Sequence, residues 1–375
     1  MTADPHLVAL LGLPELGPFR LRALLEAFGE PGRAWDAIRR GRVDHVPLRS
    51  NGENRDQLVR GWRAAAADVA VDEIVPRHRA AGVGILDPTQ PAWPDAFVHD
   101  PEPPPIVFFR GDPDLLSSVS VAIVGTRRCT TAGTAIARDL GAGLAAAGVG
   151  VVSGLALGID GAAHRGALVG GGPAIGVVAT GLDVVYPRRH SALWADVGRS
   201  GVLISEAPLG TKAERWRFPS RNRLIASLAR VVVVVESRRT GGSMLTVESA
   251  IERQVDVLAV PGPVRSPVSA GPNQLLADGC GVARDAADVL VALGPGAPAT
   301  GVASATGADD PAPGGHHDGE VDDEVLRAVT WPSASLDEIV GATGLRFSQV
   351  AARLASLEAA GVVERADDGY RRVAE

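Results

Sequence analysis

The chain has 375 residues, with 37 Lys and Arg against 44 Asp and Glu and a formal net charge of −7. Taken whole, that balance argues against a nucleic-acid-binding surface, which is ordinarily basic. The total hides its distribution: residues 293–324 hold seven acids and no Lys or Arg, so this one stretch equals the net charge and the rest sums to zero. No apolar run approaches the roughly 18–20 residues of a membrane span, and the opening MTADPH lacks a basic-then-apolar leader pattern. A soluble, cytoplasmic protein without membrane contact is expected. Two cysteines, Cys129 and Cys280, are too few for a disulfide framework or a cysteine metal site, and no metal or cofactor is expected. Lys212 is the one lysine. Phosphate contacts would therefore come from arginine forks and backbone amides.

Residues 1–83 read as a small helical domain. LVALLGLPELG, PFRLRALLEAFG and PGRAWDAIRR suggest short helices, with Leu21, Leu24, Leu25 and Phe28 at helical spacing. The LPELGP turn is weakly like a helix-hairpin-helix element; a plain packing role serves equally. From residue 84 the prolines at 88, 91, 94 and 103–105 predict an extended connector closing on a short strand, Ile106–Phe109.

The rest of the 84–292 domain alternates regularly. Apolar runs at Val121–Val124, Val149–Val152, Ala174–Val178, Val202–Ile204, Val231–Val235 and Val257–Val260 predict strands. Helices are predicted at Thr131–Ala147, Asp160–Val169, Ser191–Arg199, Asn222–Ala229 and Ser243–Arg253. Continuous apolar strands are covered on both faces, and strand–helix alternation winds a mostly parallel sheet with helices on each side. The fold class is thus α/β, doubly wound, with a small all-α N-terminal domain. Ligands of such sheets bind beyond the carboxyl ends of the strands.

Residues 293–319 are Gly, Pro, Ala and acid without apolar pattern, the composition of a disordered linker; His316 and His317 lie next to one another in it. Residues 320–375 read as a winged helix: helices at 324–330, 336–343 and 346–360, then a hairpin turning at Asp368-Gly369. Residues 325–375 hold six basic and seven acidic groups, which favours a protein-contact or packing role over groove binding.

Three strand-end loops carry the chemistry. The first strand ends Gly125-Thr126-Arg127-Arg128 and turns into a helix, an anion site if the helix amides are open. It lacks the G-x-G-x-x-G dinucleotide fingerprint, and the second strand ends Ser153-Gly154 where a ribose-binding acid would stand, which counts against NAD. Further on, Asp160 and His164 are four apart. They are either an acid/base pair or a helix cap bonded to a helix histidine. The densest signal runs from Lys212 to Arg230. It contains Lys212, Arg215, Arg217, Arg221, Arg223 and Arg230 against Glu214, with Trp216, Phe218 and Asn222 interleaved. Arginine forks grip phosphates and aromatic faces stack on bases, which points to nucleic acid. A third loop, Glu236 to Ser243, repeats the loop-into-helix geometry with Gly241, Gly242 and Ser243, and Glu248 follows on its helix.

Together the segments VAIVGTRRCTTAG, VVSGLALGIDGAAHRGAL, GLDVVYPRRH, GVLISEAP, RFPSRNRLIASLARVVVVVES, TGGSMLTVESA and VLAVPGP with GPNQLL resemble the DNA processing protein A family (DprA, also called Smf) over about residues 120–280. The resemblance implies an extended Rossmann-like domain that dimerises and a cytoplasmic, non-enzymatic protein. Such a protein binds single-stranded DNA and hands it to the RecA recombinase in natural transformation or homologous recombination, with single-strand-binding protein a further partner. The family's glycine-serine-arginine loop falls on Gly125, Thr126 and Arg127, with Thr in place of Ser. Its phenylalanine-proline-x-arginine-asparagine motif falls on Phe218, Pro219, Arg221 and Asn222. Where relatives use lysines, this chain has arginines such as Arg215, Arg217 and Arg238. Two other readings stand beside this one. One is a nucleotide phosphoribohydrolase similar to the lysine-decarboxylase-like (LOG) family, whose P-G-G-x-G-T-x-x-E signature survives only as Gly241, Gly242 and Glu248. The other is a duplex-DNA regulator acting through the winged helix.

Overall fold

The structure, a computed structural model, describes residues 3–48 and 55–294. Beyond these it describes 326, 336–343, 350, 353–354, 357–358, 362–366 and 369–372. These residues fall into two compact units, one ending at Gly294 and one starting at Leu326.

Five helices come first: α1 (Pro5–Leu11), α2 (Pro18–Phe28), α3 (Pro31–Arg40), α4 (Arg55–Ala67) and α5 (Val71–Ala80). The first three each start on a proline, whose missing N–H costs nothing in a first turn. Then follow β1 (Gly84–Leu86), α6 (Asp95–Val98), β2 (Val107–Gly111), β3 (Ser120–Val124), α7 (Thr131–Ala146), β4 (Gly150–Ser153), α8 (Ile159–Gly170), β5 (Ala174–Val177), α9 (Ser191–Ser200) and β6 (Val202–Ser205). The unit closes with α10 (Arg217–Ser227), β7 (Val231–Val234), α11 (Met244–Glu252), β8 (Asp256–Ala259), α12 (Ala270–Ala277), β9 (Gly281–Val282) and α13 (Ala286–Leu293). All six predicted strands and five predicted helices of the alternating region are present, with ends shifted by a few residues. The largest shift is at α10, which begins at Arg217 and not Asn222. Pro219 fits in its first turn, because first-turn N–H groups have no helical acceptor anyway.

The nine strands order as β1-β2-β6-β5-β4-β3-β7-β8-β9. β3 through β9 pair in parallel, while β1–β2 and β2–β6 are antiparallel. The proline-rich connector therefore adds an antiparallel edge to an otherwise parallel sheet. Successive residues of each strand feed opposite faces. Val121, Ile123, Val151, Val231 and Val233 pack with Leu140 of α7 and Ile159 of α8. Ala122, Val124, Val152, Val232 and Val234 pack with Leu224 of α10, Val247 of α11 and Leu275 of α12. Each fully buried Val or Leu contributes about 1.5–3 kcal/mol.

The first of these two cores also takes in Leu10, Leu24, Trp35 and Trp62 of the N-terminal helices. The Trp62 indole donates to Pro14 O at 2.8 Å and fixes the LPELGP turn. Gly17 of that turn lies against the Trp216 ring. The hairpin-like element is thus a packing surface against the basic stretch.

The second unit contains α14 (Leu336–Thr343) and an antiparallel hairpin, β10 (Val363–Ala366) with β11 (Gly369–Arg372). Ile339, Val350, Leu354 and Val363 form its small core. The described residues of the third predicted helix, Val350, Arg353, Leu354, Leu357 and Glu358, are helical. The predicted linker lies outside the described residues apart from Leu293, the last residue of α13, and Gly294, and so does Asp368 of the hairpin turn.

Candidate functional site

The strand order reverses between β3 and β7, and a cleft of about 720 Å³ opens beyond their carboxyl ends. Its charged lining is five arginines, Arg127, Arg128, Arg215, Arg221 and Arg238, against one acid, Asp160. Of the predicted site residues, the cleft gathers Gly125, Thr126, Arg127, Arg215, Phe218, Arg221, Asn222, Gly241, Gly242 and Ser243. Phe218 sits beneath the Arg127 guanidinium, 5.0 Å from its centroid, and 5.6 Å from the Tyr186 ring. Two π-faces and a cation are thus held at one lip.

The loop after β3 differs from its prediction. The α7 N-terminus is not open to an external anion: Glu236 has taken that place. Its carboxylate accepts from Thr130 N at 2.8 Å and from Thr130 Oγ1 at 2.6 Å. Thr130 Oγ1 in turn caps Gly133 N at 2.9 Å. A Cβ on Gly133 would overlap the carboxylate, so any side chain there would displace Glu236. Thr126 donates its amide to Glu236 O at 2.6 Å, and its hydroxyl accepts from Arg128 N at 3.2 Å. What the loop still offers the cleft is two exposed guanidinium groups, Arg127 and Arg128.

The Lys212–Arg230 stretch divides sharply. Arg215 is exposed and lines the cleft. Arg217 turns away: it bonds Glu214 at 2.8 Å and stacks on Trp216 at 4.3 Å. Trp216 itself packs under the N-terminal turn and does not face the cleft. Arg223 is buried, bonded to Glu102 O at 2.6 Å and paired with Glu206. Lys212 is exposed but outside the cleft. Helical periodicity parts Arg221 from Arg223, two apart on α10, whereas Arg217 shares the Arg221 side and is drawn off by Glu214 and Trp216. Asn222 reaches across to donate to Gly242 O at 3.3 Å, tying α10 to the third loop.

Arg221 is the buried floor of the cleft, 7% exposed, and donates to Val177 O. Its Nε has no partner among the described residues. Burial lowers its pKa to about 10, against the pull of Asp160. Burial likewise raises Asp160, which Arg221 and Arg127 oppose through space. The Asp160 carboxylate accepts from Gly154 N at 3.2 Å. Ser153 and Gly154 are therefore structural: the Ser153 hydroxyl donates to Ile123 O at 2.6 Å inside the sheet, and Gly154 leaves room for the Arg221 guanidinium. Asp160 and His164 are neither an acid/base pair nor a bonded cap. His164 Nε2 bonds Ile175 O at 3.1 Å, Nδ1 has no partner, and burial drives its pKa down to about 4.

In the loop after β7, Ser243 Oγ donates to Ser237 Oγ at 2.7 Å, which donates to Arg238 O at 2.9 Å, so the Ser243 hydrogen is already used. Glu248 is exposed on α11 and does not line the cleft. Sequence reasoning missed Arg128 and Tyr186. The doubled arginine and the GLDVVYPRRH segment were the signals available for them. Among the described residues no group of His, Cys, Asp and Glu could hold a metal ion, and no helix is long and apolar enough to cross a membrane.

Comparison with known proteins agrees with this architecture. Residues 84–294 match the family model "DNA recombination-mediator protein A", and residues 309–369 match the "DprA winged helix domain". A putative DNA processing protein DprA of Mycobacterium tuberculosis is 36% identical over 368 residues, covering 94% of this chain and 90% of the relative. DNA processing protein DprA of Streptococcus pneumoniae is 39% identical over 206 residues, 55% of this chain and 72% of the relative. The X-ray structure of the pneumococcal protein superposes with a TM-score of 0.63 at 28% identity, covering 78% of this chain and 98% of that one. A Helicobacter pylori DNA processing protein A, whose structure concerns its single-stranded DNA binding mode, superposes with a TM-score of 0.51 at 28% identity, covering 55% and 93%. The match to the family model across the sheet and its loops, with a relative alike from end to end, establishes that the chain belongs to the DNA processing protein A family.

Proposed function

We propose that the cleft at the β3/β7 switch point binds single-stranded DNA, and that the protein passes this DNA to the RecA recombinase without itself catalysing a reaction. The observation that carries the reading is the lining: four exposed arginines and one buried one around Phe218 and Tyr186, with a single acid. Guanidinium forks suit phosphate oxygens, and an aromatic pair suits an unpaired base. A duplex hides its base faces, so the same lip has nothing to stack on in double-stranded DNA. The related H. pylori protein, described by its single-stranded DNA binding mode, supports the same choice. The phosphoribohydrolase reading loses its acid, because Glu248 is not in the cleft.

The finer parts of the proposal follow the family: delivery to RecA, contact with single-strand-binding protein, a homodimer formed through the sheet domain, a cytoplasmic location, and a role in natural transformation or another recombination route. A gel shift comparing oligo-dT with a duplex of equal length tests the binding. Oligo-dT should bind preferentially, and R127A combined with R215A should weaken binding by more than about tenfold; equal binding by that variant overturns the assignment. RecA filament formation on DNA coated with single-strand-binding protein tests delivery. It should speed up when this protein is added, and an unchanged rate overturns delivery alone.

A further inference from the structure

We propose that Glu236 is a positioning residue for Arg127, an internal anion seated at the end of α7 that holds the loop 126–130 by both ends. Its backbone carbonyl accepts from Thr126 N at 2.6 Å, one residue before Arg127. Its carboxylate accepts from Thr130 N and Thr130 Oγ1 at 2.8 and 2.6 Å, three residues after it. One residue of the β7 strand end thus staples a five-residue loop of the β3 strand end at each side of its arginine. Glu236 is 8% exposed, and burying a carboxylate is costly unless it is matched. Here the positive end of the α7 dipole and the Thr130 donors match it.

The same seat is where a doubly wound sheet ordinarily holds a ligand phosphate. Because the seat is filled from within, the DNA phosphate must be met by the side chains beyond it, and above all by Arg127. That guanidinium is held by no polar partner among the described residues, only by the Phe218 ring at 5.0 Å. Its aim is therefore set by its backbone, and its backbone is set by Glu236. A loop released from either staple must be ordered again on binding, which weakens affinity without removing a single DNA contact.

This role rests on the reading of the cleft as a DNA site, so the test separates the two. Affinity for labelled oligo-dT is measured at fixed salt for E236A, R127A and the double variant, well below each melting temperature. E236A should bind about tenfold more weakly, with a log–log salt slope shallower by about 0.7, the share of one phosphate contact on a single strand. The double variant should bind no more weakly than R127A, because coupled residues are not additive. Formate, at matched ionic strength, should restore E236A toward wild type by refilling the seat and leave R127A unchanged. A purely structural role would lower the melting temperature and leave the affinity of the folded protein alone. Unchanged affinity in E236A, or a double variant showing the product of both losses, overturns the proposal. If R127A binds normally, the DNA reading of the cleft fails and the proposal with it. Should E236A not fold, E236Q replaces it: the amide keeps one acceptor and drops the charge. It should then lose about threefold and show the same lack of additivity with R127A.

Discussion

The stretch from Lys212 to Arg230 and the loop from Gly125 to Arg128 carry their charge in opposite ways. The first has six basic residues against one acid, yet Arg217, Arg221 and Arg223 are spent on Glu214, Val177 O, and Glu102 with Glu206. The second has two arginines, and both guanidinium groups stand exposed without a polar partner among the described residues. Charge in a sequence is therefore not charge on offer. Whether an arginine serves a ligand or the fold depends on what surrounds it, and α10 buries two of its three arginines, Arg221 and Arg223.

The sharpest way to break this comparison is to remove an inward arginine. R223A leaves the half-buried Glu206 carboxylate unpaired. Burial already pushes the Glu206 pKa up, and Arg223 is the group that opposes it. Breaking a buried pair costs about 3–5 kcal/mol. Urea titration should show that loss, while the fraction still folded keeps its oligo-dT affinity to within about twofold. Weaker binding at unchanged stability would place Arg223 with the ligand arginines after all.

A smaller effect belongs to another buried cation former. His164 donates from Nε2 to Ile175 O and leaves Nδ1 unpartnered in the core. Protonating it would bury a charge with no acceptor, which is why its folded pKa lies at about 4 and not at 6.5. Between these values the unfolded chain binds more protons than the folded one, so stability rises with pH there and falls as the solution is acidified. Linkage puts the loss at about 2 kcal/mol between pH 7 and pH 5. Urea midpoints at the two pH values should show it. H164N, which cannot titrate, should remove most of the difference, and an equal slope in that variant would assign it to other groups.

The outward arginines should behave in the reverse manner. R127A, R128A, R215A and R238A each remove one candidate phosphate contact and no internal bond. R127A should cost about 1.5 kcal/mol of affinity for oligo-dT and each of the others about 1 kcal/mol, each flattening the salt slope by about 0.7 with no change in the urea midpoint. A variant among them that melts early but keeps its slope belongs to the fold.

Much of this was legible in the chain. The valine-rich runs gave every central strand because a strand covered on both faces must be apolar throughout, and the loops at their ends line the cleft. Arg127, Phe218 and Arg221 could be chosen from their neighbours alone. What could not be read was pairing across the sheet. Glu236 lies 106 residues from Thr130, and nothing local marks a carboxylate that will fill the end of α7. Arg223 looks identical to Arg215 until Glu102 and Glu206, brought in by the connector and β6, claim it. Tyr186 reaches the cleft only because the chain folds back onto Phe218. Local pattern specified the elements; long-range burial decided which side chains were left for a ligand.

The smallest expected effect concerns the second unit. Its residues 325–375 hold six basic and seven acidic groups, so long-range attraction to a polyanion is weak. Its core is small, with Ile339, Val350, Leu354 and Val363 at the centre. Among the described residues, exposed arginines beside aromatic faces mark the cleft of the first unit. Ending the chain before residue 320 should therefore change oligo-dT affinity by less than about twofold and leave the salt slope as it was, since the slope counts phosphate contacts. A slope shallower by two or more would mean that this unit grips the strand as well, and that DNA contact is shared between the units and not confined to the cleft.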